Sequence, residues 1–335
     1  MPRPVVVGLG SIPPAIVTSV LGDAASFVAD PGPDELAIAA GAIVRADAVV
    51  DAGFLDRVPN LRVIARSGVG VDLIDLEAAT ARGIPVVITP GSGSRAVAEM
   101  VLAMALHLVK RLGPMTGLVR DGRWAQRERV PVGDLDGATM GILGYGRIGR
   151  RVGELAGAFG MRVLAHDPIA PPPGDLDVPE LGALAAASDV FTVHVPLTEQ
   201  TRHVVGESLL AAIRPGAVLI NCGRGGLLDL DAALAALESG RLAGVGLDVY
   251  DPEPAEHHPL FDHPDVVLTP HVAGLSRRAQ AATFADAARG VLAVVTGGMP
   301  AAVANPDWVR HRSSPAGGSG PGLPIDTHDE QEVRP

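Results

Sequence analysis

Residues 139–168, TMGILGYGRIGRRVGELAGAFGMRVLAHDP, read as a strand, a glycine turn, a helix and a second strand. The apolar run before Gly144 and the run 161–166 are β-rich, while the segment between them has helical spacing. The turn carries Gly144-x-Gly146-x-x-Gly149. Gly144 allows a tight turn, Gly146 allows a phosphate to approach the backbone, and Gly149 allows helix and strand to pack closely. The helix N-terminus offers free N–H groups and partial positive charge. Asp167 ends the second strand, eighteen residues past Gly149. A carboxylate there suits ribose hydroxyls and repels a 2′-phosphate, so the expected cofactor is NAD rather than NADP.

This unit sits in a longer alternation. Strand-like runs at 4–9, 42–45, 61–66, 84–89, 139–144, 161–166, 190–195, 217–221, 244–249 and 266–271 are separated by Ala/Leu-rich helical stretches. Such alternation predicts parallel βαβ units with buried sheets. A seam falls near Ala96–Arg123, where a long helix is expected to break at Gly113-Pro114. The expectation is an α/β protein of two flavodoxin- or Rossmann-like doubly wound domains with a cleft between them. GLG at 8–10 lacks a third glycine and is followed by Pro13 and Pro14, so it reads as a loop that opens no helix. The helical segment 277–297 is expected to return to the first unit.

With 335 residues, 47% apolar and 19% charged, the chain has material for two cores. Its net charge of −11 disfavours a nucleic-acid partner. The lone Cys222 excludes an intrachain disulfide, and no run resembles a signal peptide or membrane span, so a cytoplasmic protein is expected. The tail 311–335, rich in Pro, Gly, Ser and charge, is expected to be disordered.

Three strand ends carry polar residues that a core strand does not need. INCGRGG (220–226) ends a buried run in Arg224, GLDVYDPEP (246–254) supplies Asp248 and Glu253, and LTPHVAG (268–274) supplies His271. The carboxyl ends of parallel strands are where open α/β sheets bind ligands. Guanidinium orients a carboxylate bidentately, imidazole moves a proton near neutral pH, and a carboxylate beside it stabilises imidazolium. Arg224, His271 and Glu253 match those roles for hydride exchange between NAD and a 2-hydroxy acid. The turn ARSGVGVD (65–72) adds consecutive N–H groups at Ser67, Gly68, Val69 and Gly70, a nest suited to a carboxylate.

Together RSGVGVDLIDLEAATARGIPVVITPG, GILGYGRIGRRVGELAGAFGMRVLAHDP, VHVPLTEQTRHVVG, INCGRGGLLD, LDVYDPEP and TPHVAG resemble the D-isomer-specific 2-hydroxyacid dehydrogenase family over residues 40–300. The resemblance implies a catalytic set of Arg224, Glu253 and His271. It also implies a nicotinamide carboxamide contact at Asp248 and a cofactor-lining turn at Val195 and Pro196. Arg147 and Ile148 in the glycine turn, Cys222 and Gly274 complete the residues expected at the cofactor. A discontinuous substrate domain is implied, residues 1–96 plus 284–310, around an NAD-binding domain of 97–283 that also joins a homodimer. No metal is expected.

Within the family the chain looks most like phosphoglycerate dehydrogenases without a C-terminal regulatory domain. Arg45 and Arg66 match a pair of substrate-domain arginines and suit a dianionic group. Leu73, Gly93 and Arg95, with ITP at 88–90, depart from the usual pattern near the substrate pocket. Arg95 adds a cation there, so another anionic 2-oxo acid, such as hydroxypyruvate, glyoxylate or a phosphonate analogue, remains an alternative substrate. A relative that senses NAD(H) as a corepressor is the alternative of another class. Glu253 argues against the formate-oxidising type, which carries Gln there.

Overall fold

A computed structural model describes residues 2–45 and 47–311. The expectation for the tail falls outside these residues except at His311, which closes a short 3-10 turn. Strands are β1 (Val5–Leu9), β2 (Ser26–Val28), β3 (Ala39–Val44), β4 (Ile64–Arg66), β5 (Val86–Val87), β6 (Thr139–Leu143), β7 (Arg162–His166), β8 (Val190–Val193), β9 (Ala217–Asn221), β10 (Leu242–Leu247) and β11 (Val266–Leu268). Helices are α1 (Pro14–Leu21), α2 (Pro33–Ile38), α3 (Ala52–Arg57), α4 (Leu76–Ala81), α5 (Ser94–Val109), α6 (Leu112–Arg120), α7 (Arg147–Ala158), α8 (Leu181–Ala187), α9 (Glu207–Ala212), α10 (Leu230–Glu238) and α11 (Arg277–Val295).

The strands form two parallel sheets, ordered β2-β1-β3-β4-β5 and β11-β10-β9-β8-β6-β7. Both are covered on two faces, which is why their strands are almost continuously apolar. On the first sheet one face packs against α1 and α11 through Val6, Ile43, Val87, Phe284 and Val291, the other against α3 and α4 through Phe54, Leu55 and Ala79. On the second sheet α8, α9 and α10 cover one face, α5 and α7 the other. A bridge between Ala165 and Asp177 adds a vestigial strand outside β7.

Two local expectations need correction, and one strand went unread. Pro14 does open a helix: it is the first residue of α1, where a missing N–H costs nothing and a fixed φ helps. The break after α5 comes at Lys110-Arg111, not at Gly113-Pro114. Arg111 takes a left-handed φ of 54°, and its guanidinium reaches Asp265 at 2.8 Å. Gly113 and Pro114 lie in the first turn of α6, where proline again removes no helical bond. Finally, the three-residue edge strand β2 is too short for any periodicity to reveal.

The second sheet positions the site through its register. Leu143 pairs with His166 and Val193, Asn221 with Val193 and Leu247, and Leu247 with Leu268. One residue further, Asp167, Gly144, His194, Cys222, Asp248 and Thr269 therefore form one line across the carboxyl edge. The ladder still reaches them: the N–H groups of Gly144, His194, Asp248 and Thr269 donate to His166, Leu143, Asn221 and Leu247. His194 contacts Thr192 Oγ1 through Nε2 at 3.0 Å, while its buried Nδ1 has no partner among the described residues.

Two stability predictions follow from this packing. A Cβ on Gly41 of β3 would stand 2.6 Å from Val291 Cγ1 of α11, whereas one on Gly117 of α6 would meet nothing within 4 Å. Gly41→Ala is expected to cost about 1–3 kcal/mol in denaturant unfolding, and Gly117→Ala to leave stability equal or higher; equal effects would refute the tight α11 seam. Burial pushes the His194 pKa down to about 4 from 6.5. Between those values the unfolded chain binds a proton that the folded chain does not. Stability from this group is thus full above about pH 6.5 and declines as pH falls toward 4, by about 2 kcal/mol at pH 5. His194→Asn should lack that component, so its unfolding free energy should vary less than wild type between about pH 7 and 5; parallel curves would contradict the burial.

Candidate active site

The cradle at the start of α7 has the shape a dinucleotide needs. Gly144 has φ of 91°, and a Cβ on it would lie 2.7 Å from the His194–Val195 peptide. A Cβ on Gly149 would lie 2.1 Å from the Gly144 carbonyl oxygen, so strand and helix pack as closely as the sequence predicted. Gly146 caps α7, and a Cβ there would meet nothing within 4 Å. Two glycines are thus required by protein contacts, and the middle one faces open space. Arg147 and Ile148 open α7 directly after it. Val195 and Pro196 follow His194 along the opposite wall.

Asp167 occupies the end of β7. Its carboxylate accepts from the backbone N–H groups of Tyr145 (2.8 Å), Ile169 (2.9 Å) and Ala170 (3.1 Å). Burial works to raise its pKa, but the three N–H donors outweigh that and, with His166 nearby, hold it below the usual carboxylate value. The group is therefore an anion with about one acceptor position left of the four a carboxylate offers. Cys222 lies on the floor between His194 and Asp248. Burial and then Asp248 push its thiol pKa up, so it packs as an inert wall and not as a nucleophile.

Asp248 is 1% exposed, and its role is broader than the carboxamide contact expected of it. Oδ1 accepts from Thr269 Oγ1 (2.5 Å) and Val272 N (2.8 Å), and Oδ2 accepts from Ala273 N (2.9 Å). These bonds tie the turn on which His271 sits. His271 adopts φ of 52°, a conformation rare outside glycine, with its N–H on Thr269 O. The buried carboxylate stabilises the neighbours on both sides of that unfavourable residue. His271 Nδ1 meets Glu253 Oε2 at 2.7 Å. Glu253 Oε1 in turn accepts from Tyr250 N at 3.0 Å, and the Tyr250 hydroxyl donates to Thr269 O at 2.9 Å. Burial and then Asp248 push the Tyr250 pKa up to about 12, so the phenol stays a donor. With Nδ1 committed to Glu253, Nε2 is the ring nitrogen left for a substrate. Gly274, on the same turn, lies under the start of α5: a Cβ on Gly93 would be 3.9 Å from its Cα.

Arg224 follows β9, and its flanking glycines have contacts to explain them. A Cβ on Gly225 would overlap the Tyr250–Asp251 backbone at 2.0 Å. Asn221, 1% exposed, shapes the turn by donating to Arg224 O (2.9 Å) and accepting from Gly223 N (3.0 Å). The Arg224 side chain leaves this turn toward the loop after β4. A Cβ on Gly70 would sit 2.0 Å from Arg224 Nη2, and Asp72 Oδ2 lies 3.5 Å from Arg224 Nε. The carboxyl ends of β9, β10 and β11 thus bring Arg224, Glu253 and His271 to one edge of the sheet, facing the first sheet's loop.

The substrate-side residues divide. Burial, and then Arg224, push the Arg66 pKa down to about 10, with Asp72 opposing and Arg45 adding to the effect. Arg45, Arg66 and Arg224 are therefore close enough to feel one another. Arg66 folds onto its own loop, donating to Gly70 O at 2.7 Å and to Ser67 O. Arg45 lies over the Phe284 ring, 6.0 Å from its centroid. The expected four-membered nest is reduced: Ser67 N donates to Val44 O and Gly68 N to Arg66 O, leaving Val69 and Gly70 without backbone acceptors among the described residues. Arg95 does not join the cluster. It pairs with Glu99 one turn along α5 at 3.0 Å and is 58% exposed. Sequence reasoning missed Asn221 as the shaper of the arginine turn and His194 as a half-buried imidazole under the cradle. The HVP tripeptide flagged the region of His194, but nothing in it marks a side chain with an unmet bond.

Among the described residues no helix is long and apolar enough to cross a membrane, and no cluster of His, Cys, Asp and Glu could hold a metal.

Residues 102–273 match the family model described as D-isomer specific 2-hydroxyacid dehydrogenase, NAD binding domain. A D-3-phosphoglycerate dehydrogenase of Methanocaldococcus jannaschii is 36% identical over 268 residues, covering 78% of this chain and 51% of the relative. A glyoxylate reductase of Thermococcus litoralis is 35% identical over 271 residues, covering 77% and 81%. The chain spans about half the length of the phosphoglycerate dehydrogenases it matches. Among solved structures, a Thermus thermophilus protein aligns with a TM-score of 0.82 at 35% identity, covering 90% of this chain and 99% of that one. An NADPH-dependent glyoxylate/hydroxypyruvate reductase of Sinorhizobium meliloti, in complex with NADP and malonate, aligns at 0.80 and 30% identity, covering 93% and 100%. The two sheets, the glycine cradle and these matches lead to one conclusion: the chain belongs to the D-isomer-specific 2-hydroxyacid dehydrogenase family and carries its NAD-binding domain.

Proposed function

We propose that the protein catalyses NAD-dependent interconversion of a small anionic D-2-hydroxy acid and its 2-oxo acid. The observation that carries this reading is the His271–Glu253 pair at 2.7 Å, on the same sheet edge as Arg224 and the glycine cradle. NAD would rest on Gly146 and the N-terminus of α7, with Arg147, Ile148, Val195, Pro196, Cys222, Asp248 and Gly274 around it and Asp167 at the ribose; when bound it supplies or accepts the hydride. In reduction, Arg224 holds the substrate carboxylate and polarises the 2-oxo group, aided by the N–H groups of Val69 and Gly70. His271 delivers the proton to the carbonyl oxygen from Nε2. Glu253 fixes the ring tautomer through Nδ1 and offsets the positive charge the ring carries before transfer. In oxidation the same proton returns to His271. The substrate is bound between a domain of residues 1–96 plus 284–310 and a domain of residues 97–283. Closing that cleft excludes water and aligns the reacting atoms.

The substrate reading rests on the three guanidinium groups. Arg45 and Arg66 beside Arg224 favour an acid with a second anionic group, as in 3-phosphoglycerate or phosphohydroxypyruvate. The reading that the substrate is instead hydroxypyruvate or glyoxylate draws on Arg66, whose donors are partly engaged by its own loop. We further propose a homodimer through the NAD-binding domain. Leu112, Val119, Trp124 and Val132 are large apolar residues exposed on and just after α6, the kind of patch a second copy covers.

His271→Ala is expected to lower kcat by about 10²–10⁴-fold in an NADH-oxidation assay over 2-oxo acids. NADH affinity, followed by fluorescence, should stay within about twofold, because no cradle residue is altered. Unchanged turnover in the variant would remove His271 from the chemistry.

A further inference from the structure

We infer that Asp72 is the resident counter-ion of Arg224, a specificity-determining carboxylate that occupies the guanidinium across the cleft until an anionic substrate displaces it. The inference deepens the reading of the site as one for a 2-oxo acid and rests on it.

Asp72 differs from the aspartates that hold helix ends or shape the cradle. Asp51, Asp75 and Asp229 cap helices by accepting from Phe54, Ala78 and Ala232. Asp167 and Asp248 accept backbone N–H groups that shape the site. Among the described residues Asp72 accepts no such bond, is 65% exposed, and has one ion-pair partner, Arg224. Nothing local requires its charge.

Its location does give that charge a consequence. Asp72 follows β4 of the first sheet, whereas Arg224 follows β9 of the second. Their contact therefore spans the cleft. Gly70 lies between them: a Cβ there would be 2.0 Å from Arg224 Nη2 and 2.9 Å from Asp72 Oδ2. The guanidinium thus rests on the loop whose Val69 and Gly70 N–H groups lack backbone acceptors among the described residues. A substrate carboxylate needs that guanidinium, and an anion of the protein already faces it. The resident contact is a single one at 3.5 Å, reachable by water, so it is weak. A bidentate carboxylate forms shorter, charge-assisted bonds and can replace it.

The same carboxylate limits how much negative charge the pocket accepts. Arg45, Arg66 and Arg224 contribute three positive charges, and Asp47 and Asp72 two negative ones, leaving one positive charge. Arg224, Asp72, Arg45 and Asp47 each act on Arg66, which stands among them. Removing Asp72 leaves two positive charges and a free Arg224. The gain should grow with substrate charge, so Asp72 biases the site against multiply charged acids.

The test is Asp72→Asn, which keeps shape and removes charge. With NADH, KM for phosphohydroxypyruvate should fall about fivefold or more, KM for glyoxylate should fall less, and kcat should stay within about twofold. Asp72→Glu should retain the wild-type ratio of the two KM values. Calorimetric titration of malonate, which requires no turnover, should show binding to Asp72→Asn about fivefold tighter than to wild type, with Asp72→Ser giving the same reading if the amide disturbs the loop. Higher or unchanged KM values together with unchanged malonate affinity would overturn the inference. If the wild-type protein reduces no 2-oxo acid, the reading of the reaction fails instead, and the malonate titration still decides the role of Asp72.

Discussion

The organisation of the site depends on the parallel register of the second sheet. Because every strand runs the same way, all of their carboxyl ends open onto one edge. Because the pairs Leu143–Val193, Val193–Asn221 and Asn221–Leu247 are in step, the next residue of each strand falls on one line. That line begins at the anion Asp167, passes the glycine of the cradle and ends at Asp248 and Thr269. The glycine cradle and the scaffold of His271 are thus neighbours in space although more than a hundred residues separate Asp167 from Thr269. A slip of one residue in β9 would turn Cys222 to the other face and carry the Arg224 turn with it. The buried apolar faces on both sides of the sheet prevent that slip.

A second constraint acts at His271. Its left-handed backbone is unfavourable for an imidazole residue, and the turn supplies no glycine at that position. The compensation is a carboxylate buried at the sheet edge. Asp248 accepts the N–H groups of Val272 and Ala273, which a bent chain would otherwise leave unpaired, and also takes the Thr269 hydroxyl. A buried anion is costly alone, and here three donors satisfy it. Stability and chemistry are therefore coupled through one side chain. Glu253 gains its own orientation from Tyr250 N, and Tyr250 is anchored on the Thr269 carbonyl, so both members of the His271–Glu253 pair lead back to the same turn.

These observations explain what could be read from sequence and what could not. The alternation of apolar runs and helical stretches made both sheets legible, because parallel strands buried on two faces leave a strong signal. The glycine spacing made the cradle legible, because Gly144 and Gly149 have backbone neighbours that admit no Cβ. The polar strand ends singled out Arg224, Glu253 and His271, which the fold brings to one edge of the second sheet. What stayed hidden was pairing. Arg95 reads as a pocket cation until Glu99, one turn away, is seen to take its charge. Ser67 and Gly68 read as free donors until Val44 and Arg66 carbonyls are seen to accept from them. Proline at 14 reads as a helix breaker until its position at the first residue of α1 is known. Each miss has one cause: a residue type states what a group can do, and only the fold states which partner it has.

The substrate loop carries that lesson into the chemistry. Arg66 and Arg224 are both cations beside Gly70, yet they are held differently. Arg66 is bound to carbonyls of its own loop, so its guanidinium is part of the wall and its charge acts at a distance. Among the described residues, Arg224 is held on its own turn by one bond to Gly223 O at 2.8 Å, and outward it has only the exposed carboxylate of Asp72. An incoming carboxylate gains most from the cation whose present partner is weakest, because less is lost in the exchange. That asymmetry makes Arg224, rather than Arg66, the cation that an incoming carboxylate would engage under the proposed function. The sequence could not rank the two, since both are arginines in glycine-rich turns. The ranking follows from which of their hydrogen bonds a substrate can replace.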